Sequence, residues 1–242
     1  MITTYTSPSD VLKQSRITEH IFNRFNINAH SVEKITMNTA LKEINPNFLV
    51  EVLNVFCSYK EPTVEQFNSY SVPIILDYLT RSHTYYSEKI VPEIGQSITQ
   101  LLLNYDKEHP LLEILYKFYF KYKVDLEAHF KEEESGIFSY GSNLYKAVFF
   151  KKNSSFFIDF LQQNSIKDFV DTHASTTEDL ANITNILGQY SPPKTNETSY
   201  RILLEQLKNF AQDLEIHAFI EDKVLISKLY ELEQQIKLES SN

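Results

Sequence analysis

The chain has 242 residues, 42% of them hydrophobic and 13% aromatic, which is enough for a packed core and too apolar for disorder. Four glycines and eight prolines leave little material for the turns of an all-β protein, and a formal charge of −9 argues against a nucleic-acid-binding face. The single cysteine, Cys57, excludes an internal disulfide and a CxxC metal site, and reads as a small buried residue of a helix.

The N-terminal stretch MITTYTSPSD has neither the basic start nor the apolar core of a signal peptide. No run approaches the roughly 18 apolar residues of a membrane span. A cytoplasmic protein with no membrane or nucleic-acid partner is expected. Residues 1–65 read as a small helical domain. Ser9 and Asp10 are placed to cap a helix from Val11 towards Phe25. A second helix is expected over Ser31–Glu43 and a third from Pro46 through Tyr59, before a break at Lys60-Glu61-Pro62.

From residue 66 to 242 the pattern changes to long periodic segments, and an all-α four-helix bundle is expected. The first long helix starts near Pro73, runs towards Tyr105, and is kinked or broken at Pro92, which removes a backbone hydrogen bond. The second opens at Pro110 with Leu111, Leu115, Phe118, Tyr122 and Leu126 on one face, and ends near Gly136. The segment after Gly136 fits a connection with a short helix or turn. A third helix is expected over about 155–190, with Ser191-Pro192-Pro193 as its stop. The fourth runs from about Glu197 to Leu238.

Seven histidines punctuate the chain, and His109, His129 and His217 each have a glutamate four residues later. That spacing puts imidazole and carboxylate on one helix face, one turn apart. One such pair usually marks a solvated surface contact. Here the pair recurs in register. His83 lies 46 residues before His129, and His173 lies 44 residues before His217. At a rise of about 1.5 Å per residue, two antiparallel hairpins return each HxxxE to the level of its partner histidine. His83, His129, Glu133, His173, His217 and Glu221 then share one depth of the bundle, as a bundle-core metal site requires. Imidazole and carboxylate without thiolate suit Fe, Mn or Zn, and two carboxylates able to bridge favour two metals. The same reasoning puts His109 about 30 Å from His129, at the far end of the hairpin. Asp125, one turn before His129, is either a hydrogen-bond acceptor that orients an imidazole or a solvated acid. His20 and His30 read as ordinary polar residues.

The runs HFKEEESGIF (129–138) and HAFIEDKVLI (217–226) resemble the paired metal-binding helices of hemerythrin-like proteins. SHTYYSEKIVPEI (82–94), DKEHPLLEIL (106–115) and THASTTEDL (172–180) extend the likeness to the repair-of-iron-centres family. HIFNRFNINAH (20–30) with EKITMNTALKEI (33–44) resembles its short N-terminal domain. The resemblance implies two non-haem irons, oxo- and carboxylate-bridged, held by the six residues above. It further implies a role in mending iron–sulfur clusters after nitrosative or oxidative stress, by donating iron or handling nitric oxide. The partners would be damaged iron–sulfur proteins and the diatomic ligands nitric oxide and dioxygen. A hemerythrin-like carrier or sensor of dioxygen or nitric oxide, and a ferritin-like oxidase or reductase, are the rival readings. The sequence departs from the family twice. His30-Ser31-Val32-Glu33 stands where a cysteine pair followed by glycines is usual, and Tyr105 stands where many members have histidine.

Overall fold

A computed structural model describes residues 1–30, 35–40, 44–58, 61–105, 110–151, 166, 177–188 and 197–240. Among them every regular element is helical and no strand is present, so the fold is all-α. By its contacts the chain forms two compact units: residues 1–82, 142–158 and 218–242 in one, and 83–141 and 159–217 in the other.

The first unit contains the N-terminal helices. Helix α1 spans Pro8–Gln14 and α2 spans Thr18–Arg24. The single helix expected over 11–25 is therefore split, and its cap is Ser7 rather than Ser9 and Asp10. Ser7 Oγ accepts from the Asp10 backbone N–H at 3.2 Å and donates to the Asp10 carboxylate at 2.8 Å, with Pro8 in the first turn. The chain leaves α2 through Asn26 at φ 55°, while Ile27 N–H reaches back to the Phe22 carbonyl and Asn26 N–H to Asn23. Asparagine tolerates this left-handed stop where most residues do not. Helix α3 is Met37–Ala40, α4 is Pro46–Ser58 and α5 is Val64–Phe67. Of the helix expected over 31–43, residues 35 and 36 are not helical, and 31–34 and 41–43 lie outside the described residues. Cys57 sits half-buried on α4, and burial pushes its thiol pKa up, away from reactive thiolate.

Helix α6, Val72–Tyr85, packs on these short helices through aromatic rings. Phe48 of α4 meets Phe67, Tyr70 and Tyr78 at centroid distances of 5.5, 5.0 and 5.4 Å. Arg24 is buried beside them, its guanidinium over the Tyr78 ring, donating to Tyr78 Oη at 3.2 Å and to Ser82 Oγ at 2.9 Å.

The second unit is built on four helices around one apolar core. Helix α6 passes through a π-helical turn, Tyr86–Ile90, into α7, Val91–Tyr105. Helix α8 spans Pro110–Glu133, continues through a π turn at Glu134–Phe138, and becomes α9, Ser139–Phe150. Helix α10 is Thr177–Gly188, and α11, Glu197–Phe219, runs through a third π turn, Ile220–Leu225, into α12, Ile226–Ser240, the last two belonging to the first unit. Ile94, Ile98 and Leu101 of α7 share the core with Leu180 and Ile183 of α10 and with Leu203, Leu207 and Phe210 of α11.

Three local expectations are revised. The disturbance at Pro92 takes the form of the preceding π turn, which widens the helix ahead of the proline ring without ending it. Gly136 does not stop its helix; it lies inside a π turn, no glycine has positive φ, and the helix continues to Phe150. The buried stripe of α8 is Leu112, Leu115, Tyr119, Tyr122, Leu126 and Phe130, with Phe118 only partly buried at its edge. Tyr119 donates its hydroxyl to the Val91 carbonyl at 2.6 Å, and burial pushes its pKa well up. The expected stop at 191–193 lies outside the described residues.

Candidate metal centre

Four of the six sequence-predicted ligands converge. One donor atom each from His83, Glu133, His217 and Glu221 lies within 4.8 Å of every other, and all four side chains are buried. His83, Glu133 and His217 belong to the second unit, and Glu221 follows one turn after His217 on the same continuous helix. His83 Nε2 stands 3.0 Å from His217 Nε2 and 3.2 Å from Glu133 Oε2. The fifth residue, His129, reaches the group through its helix neighbour, with Nε2 2.7 Å from Glu133 Oε1. His129 is the wettest member, its side chain 16% exposed against 2% for His83. His173 lies outside the described residues, as does His109.

The donor set fits iron. Two buried imidazoles and two buried carboxylates face one another. Bringing carboxylates together out of water is costly unless a cation joins them. With no thiolate in the set, a hard or borderline divalent metal suits it better than a soft one.

Local structure explains how these side chains are aimed. A π turn starts just past His83, another starts immediately after Glu133, and the third contains Glu221. Such turns relax the helical register and recur at functional sites. His83 is also held by its neighbours. Its ring stacks on Phe130 at 4.1 Å and 13° and on Phe138 at 5.2 Å and 16°. Its other nitrogen, Nδ1, lies 3.1 Å from Glu134 Oε1, leaving Nε2 to face the cluster. That is the usual way a second carboxylate fixes the tautomer of a ligand histidine.

Glu134 was not singled out from the sequence, although it directly follows the HxxxE of His129. Glu134→Gln should leave the helices intact and weaken metal retention by about 10- to 100-fold, read as the rate at which a chelator strips iron. An unchanged rate would show that the stacking rings alone orient His83. Of the two readings of Asp125, the structure matches the solvated acid: its side chain is exposed, 3.9 Å from Lys121. His30 pairs on the surface with Glu19 at 2.9 Å.

No family model matches the chain, and no solved structure matches it significantly. A curated protein does match it over nearly its full length. The iron-sulfur cluster repair protein ScdA of Staphylococcus haemolyticus (strain JCSC1435) is 20% identical over 231 residues, covering 94% of this chain and 99% of that protein. An all-helical architecture and a buried His/Glu cluster accompany this end-to-end similarity to a protein named for iron–sulfur cluster repair.

Proposed function

We propose that this protein holds a di-iron centre and serves in the repair of iron–sulfur clusters damaged by nitrosative or oxidative stress. The observation that carries the reading is the buried convergence of His83, Glu133, His217 and Glu221, with His129 attached through Glu133. The similarity to a protein named for iron–sulfur cluster repair supports the role. In this reading His173 would complete the set, and Glu133 and Glu221 would be the carboxylates that hold the two metals. Bound iron would supply an exchangeable ferrous ion and an open position for a diatomic ligand such as nitric oxide or dioxygen.

The protein's own residues prepare that chemistry. Phe130 and Phe138 stack on His83 and shield it from water, which would slow the exchange of a metal held there. His129, 16% exposed, gives the cluster its contact with solvent. Residues 1–65 act as a docking or covering domain, and residues 66–242 carry every ligand. Residues 30–33 carry no cysteine pair, so that domain has no dithiol chemistry there. None of the described helices is long and apolar enough to cross a membrane, and a cytoplasmic site of action with iron–sulfur proteins as clients is part of the proposal.

The test uses the full chain loaded with ferrous iron and a purified [4Fe–4S] enzyme inactivated by nitric oxide. Recovery of the client with loaded protein, beyond that given by equal free ferrous iron, supports the repair role. Equal recovery from free iron overturns it. Formation of nitrous oxide during the incubation would assign nitric oxide turnover, and a stable adduct without recovery would favour a carrier.

A further inference from the structure

Two stretches of the chain share a word that the ligand pattern does not require. Residues 125–129 read DLEAH and residues 213–217 read DLEIH, so each ligand histidine follows an aspartate one turn earlier. Their surroundings differ completely. Asp125 is exposed and pairs with Lys121 at 3.9 Å. Asp213 is 4% exposed and accepts a hydrogen bond from Tyr86 Oη at 2.7 Å.

Tyr86 is fully buried and begins the π turn that follows His83. Its ring lies edge-on to the His217 ring at 5.7 Å and 69°, and also contacts Phe210 at 5.3 Å and Phe130 at 6.0 Å. One hydrogen bond thus joins the helix carrying His83 to the helix carrying His217, and each end of it is one turn from its ligand. A buried carboxylate is stable only when well hydrogen-bonded, and a phenol–carboxylate bond is of the strong, charge-assisted kind. We infer that Tyr86 and Asp213 are positioning residues that set the spacing of His83 and His217, whose Nε2 atoms stand 3.0 Å apart. They make this side of the cluster the retained one, while His129 on the wetter side has no equivalent clamp from Asp125.

The inference rests on the metal reading above, and the experiment separates the two. The full chain and its variants are loaded with ferrous iron, and iron content, visible spectrum and the rate of iron removal by a ferrous chelator are measured. Tyr86→Phe removes only the hydroxyl and Asp213→Ala only the acceptor, so each should speed removal by about tenfold or more and shift the spectrum. The double variant should behave like either single one, because both break the same bond. Asp213→Asn keeps an acceptor oxygen and should restore most of the retention, which a general loss of packing would not allow. Asp125→Ala should stay within about twofold of the parent, as surface changes ordinarily do. A parent chain that loads iron while Tyr86→Phe releases it at the parent rate overturns the clamp alone. An Asp125→Ala effect equal to that of Asp213→Ala does the same. A parent chain that takes up no iron overturns the clamp and the metal reading together.

Discussion

Chains reconstituted with ferrous iron should carry close to two irons each, and Glu133→Ala should carry one or fewer. Glu133 is the junction of the cluster, with Oε1 at 2.7 Å from His129 and Oε2 at 3.2 Å from His83. Its removal deletes a link between His129 and His83, so the loss should exceed that from removing one terminal histidine. The side chain is 3% exposed, and its truncation leaves a cavity among groups that need a charge partner. Glu133→Gln isolates the charge, because it preserves the shape and should still lose iron. Metal analysis of purified, refolded protein gives the count, and circular dichroism checks that the helices persist. Two irons retained in Glu133→Ala would remove the bridging role assigned to this residue.

Phe48→Ala should destabilise the fold by about 3–5 kcal/mol, measured as a lowered urea midpoint at constant slope. Phe48 is fully buried and touches Phe67, Tyr70 and Tyr78, so truncation empties the junction between α4 and the start of α6. Against a typical domain stability of about 5–15 kcal/mol, the loss is large. The same junction includes Arg24, whose guanidinium reaches Ser82, the residue before His83. The N-terminal helices are therefore part of what supports the helix that carries His83. A change below about 1 kcal/mol would mean that the aromatic ring relaxes into the space without cost.

The helix starts at Pro46, Pro110 and Glu197 were legible because proline and capping rules act within a few residues. So was the convergence of His83, Glu133, His217 and Glu221, because helical rise converts sequence distance into height and the two HxxxE pairs lie at matching distances from their turns. Helix continuity through Gly136 was not legible. Glycine ends a helix only when it takes positive φ, and here packing keeps it helical within a π turn.

The DLExH word shows where the sequence by itself stops. Composition, periodicity and ligand spacing determined an all-helical fold and the depth at which imidazole and carboxylate would meet, since both depend on translation along a helix. Only the tertiary structure decided that Asp213 lies buried against Tyr86 while Asp125 faces solvent, that Glu134 holds His83, and that Phe130 and Phe138 stack on its ring. Those outcomes depend on the rotation of each helix about its axis and on which side chains neighbouring helices bring within about 4 Å. No local word encodes either quantity.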